Sequence, residues 1–309
     1  MLKNKITIIG AGMVGSTIAY SLLLKETVEE IAMIDINKKL LEAQIMDLQH
    51  SVSFAGQTQV HQGSYDDCQD SRLAIIACGI AQKPGQTRLD LLKTNAKIIQ
   101  EVAKKIFQKN DDIVIIVVSN PVDILTRLII EDFPDKKNQV FGSGTILDSA
   151  RFRFLLGQKL NINPKSIHAY ILGEHGDSEF PVWDTASIGN LELENCQYLS
   201  SEEKNNLFQK TKKAAYKIIE GKKSTYYAIG AGVAHLSKVV LFDRKTVLPV
   251  SHLMMGEYGI KNVSLSIPTV IGKRGIVKRI CLKLSQEELN NLKRSADILE
   301  KAYQELKNQ

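Results

Sequence analysis

Ile6-Thr7-Ile8-Ile9-Gly10-Ala11-Gly12-Met13-Val14-Gly15 decides the fold of this chain. A short apolar run stops on a glycine, and an amphipathic helical pattern begins within the same turn. Gly10 permits the tight turn, Gly12 lets backbone approach a pyrophosphate, and Gly15 lets the helix pack closely on the strand. Such a glycine triplet alone is a weak signal. Here the strand–turn–helix context holds, and Ile31-Ala32-Met33-Ile34-Asp35 places an acid 20 residues after Gly15. A carboxylate there accepts hydrogen bonds from the ribose hydroxyls and repels a 2′-phosphate, which favours NAD over NADP. Lys38 and Lys39 stand close enough to soften that preference.

Outward from this turn, short apolar runs alternate with longer amphipathic ones, the pattern of βαβ units. Strands are predicted at 5–9, 31–34, 73–77, 113–118 and 139–142, nearly continuous in Ile and Val, as expected of strands covered on both faces. Helices are predicted at 14–24, 38–50 and 90–107. The fold class is therefore α/β: a Rossmann-type doubly wound parallel sheet followed by a mixed α+β substrate domain. The division expected is 1–142 and 143–309. In the second half a helix is predicted at 148–160, then a strand into a His-containing turn. A long helix over 201–220 is predicted to continue past Thr225, with strands at 246–253, 263–271 and 276–282 after it. Ser285-Gln286-Glu287-Glu288 reads as a capping box, and Leu289, Leu292, Ala296, Leu299 and Tyr303 line one face of the helix it opens.

The 309 residues carry 44% hydrophobic and 24% charged side chains, the balance of a soluble globular protein. The formal charge of +6 is mild and comes largely from scattered Lys pairs such as Lys104-Lys105 and Lys212-Lys213, so no nucleic-acid surface is expected. Cys68, Cys78, Cys196 and Cys281 show no metal-ligand spacing and read as free thiols in a reducing compartment. No apolar run approaches the roughly 18 residues that span a bilayer. A cytoplasmic protein with no metal and no membrane association is expected.

Two further stretches carry chemistry. Leu172-Gly173-Glu174-His175-Gly176-Asp177-Ser178-Glu179 sets a histidine between glycines at the end of an apolar strand, and Asp148-Ser149-Ala150-Arg151 precedes it. Histidine gives and takes a proton near neutrality. An Asp to orient it and an Arg to hold an anionic substrate would complete a proton-transfer site. Asp148 and Arg151 are three apart in a helical pattern and share a face.

Five ordered motifs, Gly10 to Gly15, Gln82-Lys83-Pro84-Gly85-Gln86-Thr87-Arg88, Ser119-Asn120-Pro121-Val122-Asp123, Asp148 to Arg151 and Gly173 to Asp177, together resemble the bacterial L-lactate dehydrogenases of the lactate/malate dehydrogenase family. The resemblance covers essentially the whole chain. It implies that Asn120, Val118 and Ser143 lie near the nicotinamide amide and ribose, that Ile229 flanks the ring, and that Gly79 and Ile80 pass under the pyrophosphate. Met13, Val14, Tyr65 and Ser119 belong to the same implied cofactor set. His175 would protonate the keto oxygen, Asp148 would orient His175, and Arg151 would clamp the carboxylate through two parallel bonds. Arg88 would arrive on the Gln82-to-Arg88 lid and polarise the carbonyl. Asn120 would bond the same oxygen, and Thr225 would line the pocket. Gln82 stands where the malate enzymes place an Arg for a second carboxylate, which points to pyruvate rather than oxaloacetate. One departure is Lys222-Lys223-Ser224-Thr225, where similar enzymes have Gly in place of Lys223; a longer 2-keto acid stays open as substrate.

Arg153 follows Arg151 by two residues, about 200° around a helix, and so points away from the catalytic face. His168 precedes His175 by seven residues, an odd separation that sends it to the opposite side of the strand. In bacterial members activated by fructose 1,6-bisphosphate, an Arg and a His at these positions bind the sugar phosphates across a subunit interface. The resemblance thus implies an allosteric site and a homotetramer.

Overall fold

β1 (Lys5–Ile9) leads into α1 (Met13–Leu24), and the alternation continues through β2 (Glu30–Ile34), α2 (Lys38–Ser51), β3 (Gln59–Gln62), β4 (Leu73–Ile76), α3 (Arg88–Lys109), β5 (Val114–Val117), α4 (Val122–Asp132) and β6 (Val140–Gly142). The computed structural model describes residues 4–80, 88–193 and 199–308, with the side chains of Arg88 and Leu89 left aside. Gln82 and Cys196 lie outside the described residues. Cys68, Cys78 and Cys281 are free.

These six strands pair in parallel, in the order β6-β5-β4-β1-β2-β3. Successive residues of β4 and β5 enter opposite cores. Leu73, Ile75, Val114 and Ile116 pack with α1 and α2, whereas Ala74, Ile76, Ile115 and Val117 pack with α3 and α4. Burial on both faces removes any polar alternation, which is why the strands read as unbroken Ile/Val runs.

The second half comprises α5 (Ile146–Leu160), β7 (Ile167–Leu172), β8 (Phe180–Ile188), β9 (Leu191–Glu192), α6 (Ser201–Lys222), α7 (Tyr227–Leu241), β10 (Thr246–Met255), β11 (Lys261–Gly272), β12 (Gly275–Arg279) and α8 (Gln286–Lys307). β10, β11 and β12 extend the first sheet through an antiparallel pairing of Ser251 with Gly142, giving nine strands. β7, β8 and β9 form a separate antiparallel sheet whose core, with Phe152, Leu156 and Leu207, lies against α5 and α6. The Ser285 capping box is present, and Leu292, Ala296, Leu299 and Tyr303 are buried beneath α8.

One expectation needs correcting, and α4, β3, β8 and β9 were not predicted. The helix expected to run on past Thr225 stops at Lys222, because Lys223 turns left-handed at φ +70° and α7 starts afresh at Tyr227. α4 was not predicted, although nine of its eleven residues are buried and it follows β5 after only four residues. β3 was missed because only Val60 of Gln59-Val60-His61-Gln62 is buried on this edge strand.

Candidate active site

Ser149 and Thr145 fix where the chemistry sits. The Ser149 hydroxyl accepts from the Ile171 amide at 2.9 Å, and the Thr145 hydroxyl donates to the Ile171 carbonyl at 2.6 Å. These bonds pin the start of α5 to the end of β7, so Asp148 faces the turn that leaves the strand. That turn is tied down from three sides. Gly173, at φ +91°, exchanges two backbone bonds with Ser266 of β11 at 3.0 and 2.9 Å. The Glu174 amide donates to Ser295 of α8 at 2.7 Å, and the His175 amide to Asp123 Oδ2 of α4 at 2.8 Å. A side chain at Gly173 would put its Cβ 2.7 Å from Ser295 Oγ.

His175 Nδ1 lies 2.6 Å from Asp148 Oδ2, and the Arg151 guanidinium donates to Asp148 Oδ1 at 2.8 Å. Asp148 thus divides its two oxygens between an imidazole and a guanidinium, and only 3% of its side chain is exposed. Burial alone would lower the His175 pKa, but the charge and bond of Asp148, then Asp123 and Glu179, outweigh it and raise it to about 9. Burial would raise Asp148, yet His175 and then Arg151 hold it below the usual carboxylate range. With Nδ1 engaged, Nε2 is the ring nitrogen left for a substrate, and 26% of the His175 side chain remains exposed. Imidazole and guanidinium are therefore held by one carboxylate.

The other end of the site lies at the carboxyl ends of the parallel strands. At Gly10, φ is +110° and an added Cβ would sit 2.7 Å from the Ala77 backbone; at Gly15 it would sit 1.8 Å from the Gly10 carbonyl oxygen. At Gly12 it would meet nothing within 4 Å. Two of the glycines are thus required by packing and turn geometry, whereas the third borders open space at the α1 N-terminus. That is the fit a pyrophosphate needs.

The chain matches the lactate/malate dehydrogenase NAD binding domain over residues 4–142 and the lactate/malate dehydrogenase alpha/beta C-terminal domain over residues 145–309. The chain belongs to the lactate/malate dehydrogenase family. Among its relatives, an L-lactate dehydrogenase of Thermoanaerobacter sp. (strain X514) is 42% identical over 308 residues, 98% of this chain and 99% of that protein. One of Thermus aquaticus is 41% identical over 303 residues, 96% and 98% of the two chains. A lactate dehydrogenase from a Medee basin deep-sea metagenome library superposes with a TM-score of 0.96 at 37% identity, covering 99% of this chain and 100% of the other. The minor L-lactate dehydrogenase of Enterococcus mundtii in its ligands-bound form gives 0.96 at 36%, covering 99% of each. As a member of this family the chain is an NAD-dependent oxidoreductase, with NAD as its cofactor.

The residues assigned to that cofactor line one edge of the sheet. Met13 and Val14 open α1, and Ile229 is carried alongside by α7, which packs on α1 with Gly230 against Thr17. Asp35 closes β2, but its two oxygens already accept from the Ala11 amide at 2.7 Å and the Asn37 amide at 2.8 Å. Each oxygen keeps a second lone pair for a ribose hydroxyl. Val118, Ser119 and Asn120 follow β5, and the Asn120–Pro121 peptide is cis. The Val118 amide donates to the Ile76 carbonyl at 2.9 Å and the Ser143 amide to the Val117 carbonyl at 2.8 Å, while the Ser119 hydroxyl bonds the Cys78 carbonyl. Tyr65 packs on the same core as Cys78 and Cys68, and burial, then the charges of those thiols, push its phenol up to about 12.

Arg88 opens α3, and the side chains of Gln82 and Arg88 fall outside the described residues. Thr225 is half-buried in the link between α6 and α7, with no hydrogen bond to His175, Asp148 or Arg151 among the described residues. Arg153 is half-buried beside Tyr170, and His168 is exposed two residues before Tyr170 on β7. No helix among the described residues is long and apolar enough to cross a membrane.

Three residues that the structure brings to the site escaped the sequence reading. Asn95 of α3, 4% exposed, accepts from the Ile80 amide at 2.9 Å and so shapes the Gly79–Ile80 segment. Nothing in the sequence marked it. Asp123 stood in a quoted motif without a role, and Glu179 closed the His175 octapeptide. An acid at the entrance of the half-buried strand β8 was the available signal for Glu179.

Proposed function

We propose that this chain is an L-lactate dehydrogenase, reversibly reducing pyruvate to L-lactate and regenerating NAD⁺ in cytoplasmic fermentation at the end of glycolysis. The observation that carries the reading is the shared carboxylate of Asp148, 2.6 Å from His175 Nδ1 and 2.8 Å from the Arg151 guanidinium. It couples an acid to a clamp for the substrate's own carboxylate, the two groups a 2-keto acid needs. The names of the curated relatives support the same substrate.

Bound NADH supplies the hydride. His175, protonated, gives its Nε2 proton to the keto oxygen, while Asp148 keeps the imidazole oriented and stabilises its cation. Arg151 holds the carboxylate and Asn120 bonds the carbonyl oxygen. Arg88 polarises that carbonyl from the lid, and Gln82 and Thr225 bound the methyl group of pyruvate. In the reverse direction neutral His175 takes the proton of the lactate hydroxyl. The division proposed is a cofactor domain over 1–142 and a catalytic domain over 143–309, supported by the two matched family stretches.

Arg153 and His168 are proposed to bind fructose 1,6-bisphosphate as an activator in a homotetramer. Their support is a half-buried guanidinium beside Tyr170 and an exposed imidazole on the same strand.

An NADH-oxidation assay with pyruvate, oxaloacetate and 2-oxoisocaproate, with and without fructose 1,6-bisphosphate, tests these assignments together. Pyruvate should be preferred, with the effector lowering its KM. The Gln82→Arg variant should raise oxaloacetate turnover relative to pyruvate by orders of magnitude; an unchanged ratio would refute Gln82 as the selector. Lys223, left-handed where similar enzymes have Gly, favours one second reading: a pocket accepting longer keto acids, which the 2-oxoisocaproate arm decides.

A further inference from the structure

Glu179 has no part in the chemistry above, yet it is only 6% exposed. Its amide donates to the Gly176 carbonyl at 3.2 Å, closing the His175 turn just before β8 begins. A carboxylate oxygen of Glu179, one of Asp148 and a ring nitrogen of His175 all lie within 4.8 Å of one another. The pair described as the acid and its orienter is therefore a trio. On the outer side, Glu179 borders an open groove of about 580 Å³ between β8, α6 and α8.

We infer that Glu179 is a positioning residue for this reaction: its carboxyl balances the charge of the Asp148–His175 pair as substrate and proton come and go. The inference rests on the reading of the site as a 2-keto acid reductase.

The argument is one of charge in a closed space. Asp148 and Arg151 lie near Glu179 on α5, Lys212 of α6 bonds the neighbouring Asp177 carbonyl, and His175 lies on the inner side with Asp123 behind it. The groove adds Asp177, Asp184 and Lys204 nearby and Glu288 and Arg294 from α8. A substrate carboxylate on Arg151 brings one more negative charge. With Glu179 protonated, the three cations His175, Arg151 and Lys212 then balance Asp148, Asp123 and substrate. After reduction the imidazole has lost its charge and the nicotinamide has gained one, so the balance holds on both sides of the reaction. An ionised Glu179 would leave an excess negative charge in every state and tighten the hold of His175 on its proton. Burial, then the Asp148 charge, raise the Glu179 pKa to about 9 against the pull of His175, Arg151 and Lys212, so the protonated form is the neutral-pH form. Around that pH the Glu179 and His175 protons leave as a coupled pair. Ionised Glu179 then keeps His175 charged to higher pH than a neutral side chain would.

The test is the pH profile of kcat/KM for pyruvate in the wild-type enzyme and in Glu179→Gln and Glu179→Asp. The alkaline limb should move down by about one pH unit in the Gln variant, the scale of one nearby charge at this distance. The Asp variant, which keeps a carboxyl, should recover part of the shift whatever happens to the plateau. An imidazole ¹⁵N titration of His175, assigned with His175→Gln, should show the same displacement. A limb and a ring titration unmoved in Glu179→Gln would overturn the inference, including where activity falls, because a purely structural role lowers the plateau without moving the limb. Wild-type enzyme inactive on every 2-keto acid would refute the functional reading instead, and the ring titration would still decide whether Glu179 acts on His175.

Discussion

His175 Nδ1 and Asp148 Oδ2 stand 2.6 Å apart, with the imidazole raised to about 9 and the carboxylate lowered. The sign of the pH effect follows. A histidine raised from 6.5 to about 9 contributes stability fully below its unfolded value, and that contribution is lost as pH rises through about 9. The lowered Asp148 contributes from above its ordinary range and loses its part in acid. Pyruvate reduction by the free enzyme should therefore decline on approaching pH 9. In Asp148→Asn the alkaline limb should fall towards the ordinary histidine range, and kcat/KM should drop about 10²-fold or more. A limb that stays near pH 9 in the Asn variant would remove Asp148 as its cause.

The glycines of the first turn separate folding from binding. Ala at position 15 would drive its Cβ to 1.8 Å from the Gly10 carbonyl oxygen, forcing α1 off β1. Gly15→Ala should lower stability by about 1–3 kcal/mol, as overpacking does. Gly12 has φ −68°, an ordinary value, and open space where a Cβ would go. Gly12→Ala should melt with the wild type and bind NADH about tenfold or more weakly, since the methyl group occupies the approach to the pyrophosphate. Thermal unfolding and NADH fluorescence titration read the two effects separately, and equal loss of stability in both variants would contradict the assignment.

Lys223 ends α6 at φ +70°, ψ −21° without being glycine. Left-handed backbone costs a residue with a Cβ about 1–2 kcal/mol, partly offset in a Gly replacement by about 0.5–1 kcal/mol of extra freedom in the unfolded chain. Lys223→Gly should be neutral to about 1 kcal/mol more stable in urea unfolding, and Lys223→Val should be the least stable of the three. Equal midpoints for Gly and Val would show that the turn stores no strain. Lys222 holds its ammonium over the rings of Tyr226 and Tyr227 at 3.3 and 3.9 Å from their centroids, so the link to Thr225 is also held from its other end.

The parallel sheet was legible because burial on both faces forces apolar runs, and the Gly10–Gly15 turn was legible because its glycines answer separate steric demands. The proximity of Asp148 and Arg151 followed from helical spacing alone. Their meeting with His175 did not follow from it, because His175 lies 27 positions beyond Asp148 and the contact depends on Ser149 and Thr145 clasping Ile171. α4 carried a helical period and was passed over, whereas the break at Lys223 was hidden by a lysine standing at a left-handed position. Asn95 and Asp123 act on backbone amides, which no residue pattern announces. Glu179 lay in plain view within the octapeptide, but only the fold shows it buried against the pair.

Asp123 is the last member of the site to offer a measurement. Its Oδ2 accepts from the His175 amide at 2.8 Å, and burial raises its pKa to about 6 against the bond from that amide and the charge of His175. A carboxyl raised in the folded state contributes stability fully below its unfolded value of 3.8, and loses it as pH rises through about 6. At neutral pH the ionised group is therefore a cost to folding, retained because it fixes the His175 turn and adds to the field that keeps the imidazole charged. Asn at this position still accepts from the amide but carries no charge. The melting temperature of Asp123→Asn, taken relative to wild type, should therefore rise between pH 5 and pH 7, roughly the span over which Asp123 ionises. Its alkaline limb for pyruvate reduction should lie below that of the wild type, because one of the anions supporting His175 is gone. A melting difference that stays constant across this range would mean that Asp123 ionises no differently in the folded and unfolded chain.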